Sequence, residues 1–319
     1  MMATEHYPVM LEETADALTL EGAEKVVDAT FGGGGHARRI LWDLGPEGSL
    51  ISIDRDPEAA ARAARLARED RRFTFMPGAY DEVLEGLVVE GEKVDAVLFD
   101  LGLSSYQIDE ADRGFSYVRE GTLDMRMDPG SGLSAAHFLN SAEAKEIVDV
   151  LVQYGDVPRG EARRVAREVA RRRPLESTID LSDAVRAAVG WKERGGNPSK
   201  RVFQAVRVYV NDELGGLERA LAAAERLLVP GGRLVAITFH SGEDRVVKRF
   251  ISKRAGRCVC PPDLPVCACG ARPIFSNGVV RKPSAREIEE NPRSASARLR
   301  SAVRTTEPLE DADLPGETS

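Results

Sequence analysis

The sequence has few cysteines and no long apolar run. Its 319 residues include four cysteines, and all of them lie between Cys258 and Cys269. A disulfide-stabilised fold of this size would spread its cysteines along the chain, so the pattern argues against an oxidising compartment. No apolar run is long enough to span a bilayer, and the first residues lack the basic start and apolar stretch of a secretory signal. These absences predict a cytoplasmic protein without a membrane segment.

Charge is distributed unevenly on a chain of ordinary globular composition, with 42% hydrophobic and 30% charged residues and a formal net charge of −8. Basic residues outnumber acidic ones more than two to one in residues 158–207, the first basic block, and more than three to one in residues 245–304, the second basic block. These blocks predict either a polyanion-binding surface or solvated helix faces. If the first block binds phosphates, we expect Arg171, Arg172 and Arg173 to contribute, with one or two of them facing the polyanion because consecutive helical residues point in different directions.

The first hundred residues alternate between strand and helix patterns. Short buried strands are predicted at Lys25–Thr30, Leu50–Asp54, Phe73–Met76 and Val94–Phe99. Between the second and third of these lies Pro57–Arg68, an Ala- and Arg-rich segment with a proline suited to the first turn of a helix. Strands that alternate with helices predict a mostly parallel sheet covered on both faces.

After Asp100 the alternation stops. Residues 106–201 contain helical patterns and no good strand candidate, and an α/β pattern then resumes with a predicted helix at Val202–Leu228 and a strand at Gly232–Phe239. We therefore predict an α/β domain formed by residues 1–105 and 202–304, with a helical domain inserted at 106–201. Residues 305–319 include five acidic residues and no basic one, and we expect them to form a disordered tail.

A glycine-rich loop and an acidic residue follow the first two predicted strands. The loop is Asp28-Ala-Thr-Phe-Gly-Gly-Gly-Gly-His36, and Asp54 lies at the end of the next strand. Glycines allow a ligand to approach the backbone closely, and a carboxylate about twenty residues further on can accept both ribose hydroxyls of an adenosine. The pair predicts an adenosine-type cofactor.

The arrangement of the glycines bears on which cofactor this is. The dinucleotide pattern places a third glycine within the helix, whereas here the glycines are consecutive and His36-Ala-Arg38 follows. Asp28 at the end of the strand before the loop is typical of class I methyltransferases, which bind S-adenosylmethionine. An NAD-dependent oxidoreductase remains the alternative.

A third constellation, Asp100-Leu-Gly-Leu-Ser-Ser105, ends the fourth predicted strand. Ligands of open α/β sheets lie beyond the carboxyl ends of the strands, so this segment is expected to border the cofactor and a methyl acceptor. The Asp100 carboxylate can accept a hydrogen bond from an exocyclic amine there, or it can simply cap a helix or shape a turn.

These motifs resemble the bacterial 16S rRNA cytidine N4-methyltransferase family, RsmH, whose older name is MraW. The resemblance extends almost from end to end, and only the acidic tail lies outside it. The stretches that carry it are His6-Tyr-Pro-Val-Met-Leu, Asp28–His36, Ile53-Asp54-Arg55-Asp56-Pro57, Asp100–Ser105, Arg113-Gly-Phe-Ser-Tyr117, Leu123-Asp-Met-Arg-Met-Asp128, Phe203-Gln-Ala-Val-Arg207, Val210-Asn211, Pro230-Gly-Gly-Arg233, Phe239-His-Ser241 and, more loosely, Asn291-Pro292-Arg293 with Leu299-Arg300.

The resemblance implies a class I, Rossmann-like α/β sheet with an inserted all-helical domain for substrate recognition. It implies methylation of a cytidine in the decoding region of 16S rRNA, within the small ribosomal subunit or as naked RNA. The implied contacts of S-adenosylmethionine are Gly34, Gly35, His36, Asp54, Tyr80, Asp100 and Gln107.

Cytosine N4 is a weak nucleophile because its lone pair is delocalised into the ring. Asp100 is the candidate catalytic residue, since its carboxylate can accept the hydrogen bonds of the amine. Phe115 or Tyr117 is a candidate for stacking on the base, which contributes about 1–3 kcal/mol. His240 lies either near the acceptor or in a structural role.

The cysteines form two C-x-C pairs, Cys258 with Cys260 and Cys267 with Cys269. They can hold a structural Zn²⁺, remain free thiols or serve a redox role. For the whole chain, a small-molecule methyltransferase and a non-catalytic RNA-binding module remain further alternatives, and the sequence does not fix the oligomeric state.

Overall fold

The structure is a computed structural model that describes residues 7–190, 197–256, 272–276 and 278–309. The chain forms two compact units. We call the first, Met1–Gly102 together with Leu214–Ser319, the Rossmann-like unit, and the second, Leu103–Glu213, the helical unit. Within the described ranges, no helix has the length and apolarity needed to cross a membrane.

The described strands all belong to one sheet of the Rossmann-like unit. In chain order they are β1 (Lys25–Asp28), β2 (Ser49–Asp54), β3 (Phe73–Pro77), β4 (Val94–Asp100), β5 (Leu228–Thr238), β6 (Val279–Arg281) and β7 (Arg298–Val303). The described α-helices of the whole chain, again in order, are α1 (Leu11–Leu18), α2 (Gly35–Asp43), α3 (Pro57–Glu69), α4 (Tyr80–Val89), α5 (Ser105–Asp109), α6 (Ala135–Ser141), α7 (Ala144–Gly155), α8 (Arg159–Arg172), α9 (Thr178–Val189), α10 (Ser199–Val210), α11 (Glu213–Leu227), α12 (Ser241–Arg254) and α13 (Ala285–Glu290).

The strand order is β3-β2-β1-β4-β5-β7-β6. Strands β1 to β5 pair in parallel, whereas β7 runs antiparallel to both β5 and β6. This arrangement confirms the predicted Rossmann-like α/β class, with β1 and β4 at the centre of the sheet. Strands β6 and β7 were not identified from the sequence.

Local sequence explains why the first elements form where they do. The apolar residues of β4, including Val97, Leu98 and Phe99, are fully buried, as expected for a strand covered on both faces. Helix α3 begins at Pro57, which needs no backbone donor at this position, and the Asp56 carboxylate accepts the Glu58 N–H at 3.0 Å.

The helical unit has its own hydrophobic core. Helix α8 buries Ala162, Val165, Ala166 and Val169 on one face and carries its arginines on the other. This spacing of three and four residues is that of an amphipathic helix. The buried faces of α7, α9 and α10 contribute to the same core.

The predicted single helix Val202–Leu228 is wrong, because the structure has two helices, α10 and α11. Between them Asp212 has a φ of 47°, a left-handed conformation that Asn and Asp tolerate better than most residues. Helix α10 buries Val202, Phe203 and Val206 in the core of the helical unit. That unit therefore runs from Leu103 to Glu213, a wider span than the predicted 106–201.

The predicted disordered tail starts too early. Thr305 N–H donates to the Ile274 carbonyl at 2.9 Å, and the Glu307 carboxylate pairs with Arg272 at 2.7 Å. These contacts hold the first residues of the tail in place. Residues 310–319 lie outside the described part of the chain.

Candidate active site

Three aspartates end neighbouring strands at one edge of the sheet. Asp28 is the last residue of β1, Asp54 of β2 and Asp100 of β4. β1 lies between the other two strands, and its Asp28 is level with Ser52 of β2 and Leu98 of β4. The other two aspartates therefore extend two residues further along their strands. Ligands of open α/β sheets bind beyond these carboxyl ends.

The loop between β1 and α2 passes close to other parts of the unit at two glycines. Gly34 has a φ of 79°, and a Cβ at this position would lie 2.8 Å from the Phe31 ring. A Cβ at Gly35 would lie 2.2 Å from Pro8 Cγ. Since real Cβ contacts are longer than these distances, the sequence requires glycine at both positions. Glycine at these positions lets the backbone pack closely against Phe31 and Pro8.

Asp54 holds this loop from the neighbouring strand. Its Oδ2 accepts the Gly32 N–H at 2.8 Å, and its Oδ1 accepts the Asp56 N–H at 2.9 Å. Burial raises the pKa of Asp54 above its usual value, although these amide hydrogen bonds oppose the shift. Each carboxylate oxygen can accept a second hydrogen bond, so two ribose hydroxyls can still be bound.

A buried polar group connects the other two strand ends. His36, in the first turn of α2, is 6% exposed, and its Nε2 lies 3.5 Å from Asp100 Oδ2. Burial alone would lower the pKa of His36, but the Asp100 carboxylate raises it above its usual value. Asp28 is fully buried, which raises its pKa to about 7. Its Oδ1 accepts the Thr30 N–H at 3.1 Å.

Two carboxylate oxygens in this group are buried and have no hydrogen-bond partner among the described residues, namely Asp28 Oδ2 and Asp100 Oδ1. Unpaired buried acceptors are rare in folded proteins, and they favour a ligand that donates hydrogen bonds or carries positive charge. The glycine loop, the free lone pairs of Asp54 and these two acceptors fit S-adenosylmethionine, which offers ribose hydroxyls, an ammonium group and a sulfonium.

Tyr80 is the first residue of α4 and follows β3, the neighbour of β2. Its ring meets Phe99 edge to face, with centroids 5.9 Å apart. The side chain is half-buried, so it offers an aromatic surface near the end of the sheet. Its role beside an adenine stays a prediction.

Gln107 belongs to the helical unit, unlike the other predicted cofactor contacts. Its Oε1 accepts the Ser104 N–H at 3.0 Å, and Ser104 Oγ accepts the Gln107 N–H at 3.3 Å. This reciprocal pair is a capping box at the start of α5. Its contact with the cofactor likewise stays a prediction.

His240 has a structural role. Its Nδ1 accepts the Gly242 N–H at 3.2 Å at the start of α12, and its Nε2 lies 3.1 Å from Glu243 Oε1. Glu243 is 2% exposed, and its Oε2 accepts the Phe239 N–H at 2.8 Å. Glu243 was not identified from the sequence, although its position three residues after the cap is the signal of a capping box.

Thr30 is another residue that sequence reasoning missed. Its Oγ1 accepts the Asp100 N–H at 2.6 Å, so the loop after β1 positions the end of β4. Only the position of Thr30 two residues after a strand-ending aspartate hinted at such a role. The stacking candidates Phe115 and Tyr117 pack within the helical unit, where Phe115 is 7% exposed and Tyr117 contacts Phe203.

The first basic block divides into surface and structural arginines. Arg171 and Arg172 both pair with Glu168, at 2.7 and 3.3 Å. Arg173 instead turns toward α6, where its Nε donates to the Leu139 carbonyl at 2.8 Å and its Nη2 to the Ala142 carbonyl. Of the three arginines, Arg173 is thus the one whose donors complete the end of a helix, and phosphate binding by the other two stays a prediction.

The four cysteines and their zinc alternative cannot be placed on this fold. Cys258, Cys260, Cys267 and Cys269 all lie within residues 257–271, outside the described residues. Zinc binding, free thiols and a redox role therefore all stay predictions for these cysteines.

The parallel sheet, the glycine loop and the acidic strand ends define a Rossmann-like methyltransferase. The family model of the MraW methylase family matches residues 3–305. The chain belongs to this family, whose members depend on S-adenosylmethionine. This membership selects the methyltransferase over the oxidoreductase alternative.

Curated relatives are similar over nearly the whole chain. A protein of Rubrobacter xylanophilus named ribosomal RNA small subunit methyltransferase H is 68% identical over 312 residues, which cover 98% of this chain and 100% of the relative. Proteins of the same name from Symbiobacterium thermophilum and Heliobacterium modesticaldum are 46% and 45% identical. They align over 95% and 94% of this chain, and over 98% and 99% of their own lengths.

Proposed function

We propose that this chain transfers a methyl group from S-adenosylmethionine to N4 of a cytidine in the decoding region of 16S rRNA. The observation that carries the proposal is the Asp100 carboxylate, which ends β4 beside the glycine loop and keeps a buried oxygen without a partner among the described residues. The names of the relatives support an RNA of the small ribosomal subunit as the substrate. A ribosomal substrate also supports action in the cytoplasm.

S-adenosylmethionine supplies the methyl group on an electrophilic sulfonium. Asp54 binds the ribose hydroxyls through its remaining lone pairs, and the glycine loop allows the cofactor to approach the backbone. Asp100 accepts a hydrogen bond from N4 and thereby directs electron density toward the methyl group. With S-adenosylmethionine bound, Asp100 would take the proton that N4 releases on methylation.

His36 supports this role of Asp100. Its Nε2 lies 3.5 Å from Asp100 Oδ2, so the imidazole faces this oxygen of the carboxylate. Thr30 fixes the backbone of the same aspartate through a hydrogen bond of 2.6 Å. Together these contacts hold the carboxylate in one orientation.

The decisive experiment is methylation of 30S subunits with labelled S-adenosylmethionine, followed by nucleoside analysis of the RNA. We expect the label in N4-methylcytidine. Naked 16S rRNA is tested in parallel to learn which form is the substrate. Label in another nucleoside, or in none, would refute the proposal.

The helical unit is proposed to bind substrate RNA through α8. Arg163 and Arg167 are exposed and lie four residues apart, on the face opposite the buried one. Replacement of both by glutamine is expected to lower the log–log salt slope of RNA binding by about 1.4, since each lost single-strand phosphate contact removes about 0.7. The matched control is Arg65→Gln with Arg68→Gln, which replaces two exposed arginines of α3 in the Rossmann-like unit. Equal slopes in wild type and variant would exclude α8.

A further inference from the structure

A groove lies at the carboxyl edge of the sheet, beside the candidate active site and within the Rossmann-like unit. It has a volume of about 600 Å³ and begins at Thr238 and Phe239, where β5 ends. In the register of β4 with β5, Asp100 is level with Ile237, the residue before Thr238. The groove therefore opens one residue beyond the position of Asp100 on the adjacent strand.

The two walls of the groove come from separate parts of the chain. Helix α12 forms one wall, and the segment from Lys282 to Arg298, which connects β6 to β7, forms the other. Helix α12 is anchored by its buried residues Val246, Val247 and Ile251. Where β5 pairs with β7, Thr238 Oγ1 donates to the Arg298 carbonyl at 3.2 Å. These contacts make the groove a feature of the folded unit.

The charge of the groove is predominantly positive. Its lining includes four basic side chains, contributed by Arg245, Lys248, Lys282 and Arg298, and one acidic side chain, Asp244. The Asp244 carboxylate is held by Arg300 at 2.7 Å and by Arg298 at 3.1 Å, so arginines already neutralise it. The cations of α12 and Lys282 face the groove from opposite walls and are exposed.

We infer that this groove binds the phosphate backbone of the substrate RNA next to the target nucleotide. The inference rests on the proposed function, and it adds which surface of the Rossmann-like unit the RNA strand follows. A base that reacts must leave its stack, so the strand beside it is locally single-stranded and presents phosphates without a partner strand. Lys248 and Lys282 bind phosphates from the two walls, and Ser241 and Ser296, which also line the groove, add hydroxyl donors.

The test replaces two cations of the groove and two cations outside it. The groove variant is Lys248→Gln with Lys282→Gln. The control variant is Lys253→Gln with Arg286→Gln, which removes the same charge from the same two segments, α12 and α13 with its flanking residues. Lys253 and Arg286 are exposed and do not line the groove. All four positions lie on the surface, so both variants are expected to fold.

Binding of a 16S rRNA fragment is measured at several salt concentrations, without turnover. The groove variant is expected to lower the log–log salt slope by about 1.4, as two single-strand phosphate contacts are lost. The control variant is expected to lower it much less. The KM for RNA should rise several-fold in the groove variant, while kcat and the Kd for S-adenosylmethionine stay at wild-type values.

Equal slopes in the groove and control variants would overturn the inference. Loss of activity on 30S subunits with unchanged affinity for naked RNA would also overturn it, because the groove would then contact a ribosomal protein. The proposed function has a separate readout, the nucleoside that wild type methylates. The salt slope is measured in binding alone and is independent of that result.

Discussion

Two buried polar sites, one in each unit, differ in how their hydrogen-bonding groups are satisfied. In the helical unit, the Asn211 side chain donates to the Met125 carbonyl at 2.7 Å and to the Arg207 carbonyl at 2.8 Å, and it accepts the Met127 N–H at 2.7 Å. In the Rossmann-like unit, Asp28 Oδ2 and Asp100 Oδ1 are buried without a hydrogen-bond partner in the described ranges. The Asn211 side chain is satisfied within its own unit, whereas the two aspartate oxygens remain for hydrogen bonds with a ligand.

The energetic consequence of this difference can be estimated. An unpaired buried polar group costs about 1–3 kcal/mol. A fold that is stable by only about 5–15 kcal/mol tolerates such a cost at few positions. Here the cost falls at the edge where β1 and β4 end, where a bound cofactor or substrate would supply the missing donors.

The largest expected effect concerns Asp100. Asp100→Asn keeps the shape of the side chain and removes its charge, so turnover at saturating cofactor and RNA should fall by about a hundredfold to ten-thousandfold. The change in the KM for RNA should be smaller. Single-turnover methylation measures the effect. Asp16→Asn, at an exposed carboxylate of α1, is the control and should match wild type. Near-normal turnover of Asp100→Asn would leave this residue only a positioning role.

The counterpart in the helical unit is Asn211→Ala. The change leaves one buried donor, the Met127 N–H, and one acceptor, the Met125 carbonyl, without a side-chain partner, and it should lower the free energy of unfolding by about 3 kcal/mol. Urea denaturation measures the loss, with Gln153→Ala on the exposed side of α7 as the control. Saturating S-adenosylmethionine should stabilise wild type and the variant equally. A loss under about 1 kcal/mol would show that water replaces the amide without difficulty.

A substitution of Asp54 tests whether the strand ends of the Rossmann-like unit bind the cofactor. Asp54→Asn retains one oxygen and loses the charge, so the affinity for S-adenosylmethionine should fall by about 1.5–3 kcal/mol, as for hydrogen bonds to a charged group. Calorimetry gives the value directly. Asp56→Asn is the control, because Asp56 caps α3 and its amide analogue can still accept the Glu58 N–H. Unchanged affinity would remove Asp54 from the binding site.

The parallel core of the fold was predictable because its strands are short apolar runs, three of which end in aspartate. β6 and β7 were not. β6 has three residues, two of them exposed valines, and β7 alternates arginines with a few buried apolar residues. These segments become strands through pairing, since β7 lies against β5 from Arg298 to Val303. Such tertiary pairing overrides local propensity and leaves little trace in the sequence.

The site residues Asp54 and Asp100 were predictable because each is an acidic residue at the carboxyl end of a predicted strand, where ligands of such sheets bind. Contacts that depend on distant segments were not. In the sequence, Arg173 is one of three consecutive arginines typical of an exposed helix face. In the structure, its Nε donates to the Leu139 carbonyl at the end of α6, more than thirty residues earlier in the chain. The break at Asp212 was also hidden, because the helical patterns on both sides are strong. A one-dimensional pattern does not show which neighbour a side chain will reach.

The smallest expected effect concerns the buried carboxyl of Asp28. Burial raises its pKa in the folded protein to about 7, whereas an unfolded chain has the ordinary value near 3.8. Between these values the folded state binds the proton and the unfolded state does not. The contribution of Asp28 to stability therefore declines as the pH rises through this window. The raised pKa of His36 has the same sign, since its contribution is present at low pH and lost above the folded pKa.

Asp28→Asn removes the Asp28 part of this pH dependence. The amide oxygen can still accept the Thr30 N–H, and no charge has to be buried. Relative to wild type, the variant should gain about 2 kcal/mol between about pH 5 and about pH 8, as linkage gives for a pKa raised from 3.8 to about 7. Urea denaturation at the two pH values measures this gain, and Asp16→Asn again serves as the exposed control. If the difference between wild type and Asp28→Asn does not grow with pH, Asp28 is ionised in the folded protein, and the unpaired oxygen at this edge belongs to a charged carboxylate.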